Sequence, residues 1–127
     1  MGKFLLICLG SAIGGGARYL LSGWALTLFG SVFPYSTLIV NMIGSLLIGI
    51  IMHLGLTTEL MSPMTRIVLT TGVLGGFTTY SSFNYETVQY FQEGEMLRGA
   101  LNIFVMVFSC LSMGFIGVIL AKKLFGN

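Results

Sequence analysis

Residues Gly75 to Phe83 read GGFTTYSSF, a stretch of glycines, hydroxyls and rings inside the uncharged run 67–85. Glycines 72, 75 and 76 are poor helix formers, and the hydroxyls of Thr78, Thr79, Ser81 and Ser82 compete for backbone hydrogen bonds. A helix interrupted here ends in carbonyls that suit a cation and restarts with N–H groups that suit an anion. A plain Gly/Thr/Ser kink packed against a neighbour fits the same residues equally well. Tyr80 and Phe83 are three apart, on one face if a helix restarts near residue 80. Ring edges are electropositive and can touch a small anion without gripping it, although rings at this spacing are usually packing.

Three more polar side chains lie in otherwise apolar sequence. Asn41, in LIVNMIGS, has two amide hydrogens that need acceptors, either as helix-to-helix glue or as donors to a ligand. Arg18, in GGARYLLSGW, can snorkel, cap carbonyls or set a positive potential that attracts anions. Glu86 follows the polar stretch; its readings are a hydrogen-bonded structural carboxylate or a proton-coupling group. Nucleophile triads, paired carboxylates and metal-ligand spacings are missing, so the sequence gives no reason to expect an enzyme. Cys8 and Cys110 read as buried thiols, and His53 as a satisfied or interfacial histidine.

These residues need an unusual setting. Of 127 residues, 55% are hydrophobic and 8% charged, against about 25% charged in soluble domains. The mean hydropathy is +0.95. Charge is absent from 4–17, 19–58, 67–85 and 99–121. A bilayer crossing needs roughly 20 apolar residues, and GSVFP at Gly30 to Pro34 marks a turn that divides the longest run. One domain, 1–127, is therefore expected, with spans at about 4–29, 34–56, 65–91 and 97–122 and an interruption at about 75–80. The N-terminus superficially resembles a signal peptide, but three further spans follow it.

Lys3, Arg66, Lys122 and Lys123 fall on the side of both termini, and Arg98 with Glu93 and Glu95 on the other. This mildly favours cytoplasmic termini. A net charge of +2 is too small and dispersed to suggest nucleic acid as a partner. Small residues four apart, Gly10 with Gly14 and Ser45 with Gly49, suit close helix packing in lipid. GSAIGGGAR lacks the preceding strand and the Lys-Ser/Thr ending of a phosphate loop. Four helices without an internal repeat leave little room for a watery pathway, so transport would call for an oligomer, most simply a dimer.

GGFTTYSSF resembles the G-G-x-x-T-F-S-T-F segment of the Fluc (CrcB) family of fluoride channels. GGGARYLL with Arg18 and TLIVNMIGS with Thr37 and Asn41 are similar to family segments in the same order. The resemblance implies an all-α membrane protein of four transmembrane helices, the third broken mid-membrane, forming an antiparallel, dual-topology homodimer. It further implies passive fluoride export across the cell's inner membrane through two narrow pores. That export would protect against fluoride taken up as HF from acid surroundings.

Carried over, Asn41 and Phe83 match pore-facing positions, Ser81 and Ser82 match polar positions of the break, and Arg18 matches the arginine of the first span. A structural sodium ion (Na+) at the dimer centre would be held by the backbone carbonyls of Gly75 and Thr78. Tyr80 replaces the family's first pore phenylalanine, and Asn84 stands where serine is common. Cys110 and Gly114 occupy fourth-span positions where hydroxyls are expected. The pore set implied is thus Asn41, Tyr80, Ser81, Phe83, Asn84 and Arg18.

Fluoride is tightly hydrated, so a dry pore must replace its water with Asn, Ser, Thr or Tyr donors and ring edges. Conduction also requires that no site hold it too well. Two other readings are one half of a heterodimeric fluoride channel and a small dual-topology, proton-coupled multidrug exporter. The exporter needs a glutamate in the first span, and this chain has none there.

Overall fold

The computed structural model describes residues 1–126, and among them the regular structure is entirely helical. Helix α1 spans Gly2–Phe29 and α2 spans Tyr35–Thr57. The next stretch is composite: α3 (Pro63–Ile67), a π-helical segment (Val68–Leu74), α4 (Gly75–Phe77) and α5 (Tyr80–Gln92). Helix α6, Met96–Phe125, closes the bundle. Helices α1, α2 and α6 are each long and apolar enough to cross a membrane.

Local chemistry sets the ends. Helix α1 stops at Gly30, whose φ of 74° lies in the left-handed region that glycine enters freely. Ser62 caps α3 by accepting from Thr65 N–H at 3.1 Å, with Pro63 at the first helical position, where its missing N–H costs nothing. Thr79 caps α5 by accepting from Ser82 N–H at 3.2 Å. The π-helical segment is not announced by any apolar period. Its i→i+5 pairing is a local adjustment that composition does not carry.

Helix α1 lies along the π-helical segment and α4, while α2 packs along α6. Both contacts depend on small residues. A methyl group at Gly14 would overlap the Val73 carbonyl, and one at Gly117 would overlap the Leu46 carbonyl. Such close approach lets backbones gain dispersion contact where lipid offers no hydrophobic drive. Two small apolar clusters lie inside, Leu38–Phe83–Met106 and Val40–Leu74–Phe77. Much of the apolar surface faces outward instead, including Leu9, Ile13, Leu20 and Trp24 of α1 and Phe104, Phe108 and Phe115 of α6. Water would penalise such a surface; a bilayer does not.

Candidate functional site

Helical backbone stops after Phe77. Thr78 (φ −83°, ψ 159°) and Thr79 (φ −148°, ψ 108°) are extended, and α5 restarts at Tyr80. Exposed to lipid alone, the polar groups freed here would be costly. The chain satisfies several of them, mostly from other elements. Asn41 of α2 accepts from Thr79 N–H at 2.8 Å through Oδ1, and its Nδ2 donates to Thr79 O at 3.0 Å. This two-way pairing fixes which end of the amide is which. Arg18 of α1 donates through Nε to Gly76 O at 3.1 Å, placing a cation at the carbonyl end of the first half-helix. Thr78 N–H and its hydroxyl both donate to Leu74 O at 2.9 Å.

Three carbonyls, those of Gly75, Phe77 and Thr78, gain no such donor among the described residues, and for two of them the diverted partner is seen. In continuous helix Gly75 O would accept from Thr79 N–H, but that group donates to Asn41. Thr78 O would accept from Ser82 N–H, but that group donates to the Thr79 hydroxyl. Uncharged oxygens with diverted donors are the ligand type a hard cation such as sodium takes, so the chemistry of this pair fits the expected ion.

Beside the interruption lies a cavity of about 530 Å³, lined by Asn41, Ser45, Gly75, Thr78, Tyr80, Phe83, Met106 and Cys110, among others. Tyr80 and Phe83 meet edge-on, with centroids 5.6 Å apart and planes at 73°, so the restart at residue 80 does put them on one face. Phe83 is 7% exposed and Tyr80 76% exposed. Ser81 and Asn84 are exposed on α5 and do not line this cavity. Arg18 does not line it either, and reaches the interruption through Gly76. Cys110, at one of the two positions where hydroxyls were expected, donates its thiol to Met106 Sδ at 3.6 Å.

Sequence reasoning missed a second set of polar contacts. Asn102, 1% exposed in α6, donates to the Thr87 hydroxyl at 2.9 Å, and Thr87 donates to Phe83 O at 2.8 Å. A lone amide in an uncharged run was the signal that singled out Asn41, and Asn102 carries the same signal. Thr37 donates to Glu86 Oε2 at 2.8 Å, while buried Glu86 Oε1 has no partner among the described residues. Glu86 also borders a second cavity of about 480 Å³ with Gln89, Tyr90, Glu93 and Arg98.

Apolar helices of crossing length around a polar interruption define a multi-pass membrane protein. The family described as CrcB-like protein, Camphor Resistance (CrcB), matches residues 5–118, and the chain belongs to it. It is 47% identical over 126 residues to the fluoride-specific ion channel FluC of Anaeromyxobacter dehalogenans, covering 99% of this chain and 100% of that protein. The protein of the same description from Sorangium cellulosum is 48% identical over 124 residues, covering 98% of each chain. That of Geobacter sulfurreducens is 45% identical over 124 residues, covering 98% of this chain and 100% of the relative.

Proposed function

We propose that this chain forms a fluoride-selective channel that lets fluoride leave the cell passively across its inner membrane. Family membership supports the reading, because the relatives named above are fluoride-specific ion channels. The observation that carries it to particular residues is the clamped interruption beside a cavity bordered by Asn41, Tyr80 and Phe83. There an anion leaving water would meet an amide N–H and aromatic edges instead of a free charge. Such donors compensate dehydration without the tight hold that would stop conduction.

In this reading the third span is broken mid-membrane at Thr78–Thr79, and the working unit is an antiparallel, dual-topology homodimer with two pores. The exposure of Tyr80, Ser81 and Asn84 on a single chain supports that arrangement, since a second copy could cover the face they share. Arg18 sets a positive potential near the path. The carbonyls of Gly75 and Thr78 would hold a structural sodium ion, which supplies fixed positive charge to oxygens whose usual donors are engaged elsewhere. The multidrug-exporter alternative finds no support in family membership.

Fluoride efflux from liposomes holding only this purified protein, read with a fluoride electrode and repeated for chloride, tests the proposal. Rapid fluoride release with negligible chloride release is the expected result. Absence of release from folded protein would overturn the homomeric reading. Release restored by a paralogous chain would then establish the heterodimeric alternative.

A further inference from the structure

Two hydrogen-bond donors from different helices end on one sulfur. Asn41 Nδ2 donates to Thr79 O and is also directed at Met106 Sδ, 3.6 Å away. The Cys110 thiol, one turn along α6, donates to the same sulfur at 3.6 Å. Phe83 and Leu38 pack against Met106, which is 5% exposed and borders the larger cavity. A thioether is among the weakest acceptors a protein offers. Asn41 Nδ2 has a second hydrogen beyond the one it gives to Thr79 O, and the sulfur is what it and the Cys110 thiol both meet, with the Ser45 hydroxyl also bordering the same cavity.

We infer that Met106 is a movable stand-in for the anion. Its sulfur occupies the point where the Asn41 and Cys110 donors meet, and fluoride takes that point when the side chain swings away. The inference rests on the fluoride-channel reading above and adds to it a displaceable subsite and the residue that governs it. Methionine suits the task because its unbranched chain has three rotatable bonds, and the adjoining cavity gives it space. An ionic acceptor gains more from the same donors than a neutral sulfur does, so fluoride can displace the thioether. The sulfur carries no hydrogen to donate, so on return it competes for the donors without holding the anion. A larger, softer halide gains less from two fixed donors, which makes the exchange selective.

The test uses full-length protein labelled with ε-¹³C-methionine, in lipid nanodiscs, titrated with sodium fluoride and then with sodium chloride. Met106→Leu assigns the resonance by its loss. The Met106 methyl signal should move saturably with fluoride and stay in place with equal chloride. In liposomes, Met106→Ile, stiff at χ1 in a helix, should slow fluoride efflux by about tenfold or more. Met106→Ala should conduct at least as fast as the native chain and discriminate less against chloride. A Met106 signal indifferent to fluoride, in protein that releases fluoride, overturns the subsite and leaves the channel reading standing. A fluoride-dependent signal without efflux retains the subsite and removes only the channel reading. Neither signal nor efflux overturns both.

Discussion

The backbone of Thr79 is held at both ends by one side chain: its N–H donates to Asn41 Oδ1 at 2.8 Å and its carbonyl accepts from Asn41 Nδ2 at 3.0 Å. The amide thereby gives Thr79 N–H, from α2, the partner it loses by leaving helical geometry, and adds a second donor to a carbonyl that caps the start of α5. Only a side chain carrying a donor and an acceptor on one flat group can do this. Because Asn41 also borders the cavity, the clamp and the proposed anion path share a residue.

Asn41→Asp tests that sharing. An ionised aspartate can still accept from Thr79 N–H, but its second oxygen would face the Thr79 carbonyl, and its charge would oppose an anion nearby. Fluoride efflux should fall by more than about tenfold, with a loss of about 1–3 kcal/mol in stability from the lost donor and the two oxygens brought face to face. Efflux and thermal unfolding measured on one preparation read the two effects separately.

Phe83→Ile keeps the position apolar and removes the ring edge. Efflux should drop by about tenfold or more, while the elution volume of the assembled protein stays unchanged. Normal efflux would return Phe83 to a packing role. Tyr80→Phe, at a position 76% exposed on one chain, should conduct like the native protein; a silent variant would assign the phenol to the path.

Arg18→Ala removes the guanidinium from Gly76 O. Losing this charge-assisted hydrogen bond from a half-buried carbonyl should lower stability by about 1–2 kcal/mol, seen as an earlier unfolding midpoint. Arg18→Lys should recover part of the loss, since an ammonium can reach one carbonyl but lacks the planar fork. An unchanged midpoint in Arg18→Ala would show that the contact contributes nothing.

Gly117→Val places a branched side chain where even a methyl group would overlap the Leu46 carbonyl. The resistance comes from backbone, so α2 and α6 must separate; the cost should be at least about 1–3 kcal/mol. Size-exclusion chromatography should show reduced recovery of monodisperse protein. A change to Ala at exposed Gly16, which has open space around it, is the control and should behave normally.

Asn102→Leu removes the donor to Thr87 from a site 1% exposed. Thr87 keeps its own bond to Phe83 O, so the loss should be about 1 kcal/mol. Combining it with Thr87→Val should cost less than the sum of the two single changes, because the residues share one hydrogen bond. Strict additivity in the unfolding midpoints would show that they act independently.

What the sequence made legible were features with local causes. Gly75, Gly76 and the threonines weaken a helix wherever they occur, and the backbone of Thr78 and Thr79 is extended. The spacing of Tyr80 and Phe83 implied a shared face once α5 began, and their rings meet edge-on. Partners at long range were not legible. Arg18 finds Gly76 from 58 positions away, and Thr37 finds Glu86 from 49. Nothing in either local stretch encodes those pairings; they follow from α1 and α2 lying against the third stretch. The contact of Asn41 with Met106 sulfur was equally hidden, because a methionine in an apolar run reads as filler.

The interruption is closed largely from within one chain: Gly76 by Arg18, both groups of Thr79 by Asn41, and Thr78 N–H by Leu74. All of these donors and acceptors lie at or before residue 79. During biosynthesis they emerge before α6, so the kink can be sealed while the ribosome is still making the last helix. A newly inserted chain can therefore have Gly76 O, Thr78 N–H and both backbone groups of Thr79 paired before its last helix is complete. What such a chain still presents to its surroundings is its oily outer faces and the carbonyls of Gly75, Phe77 and Thr78.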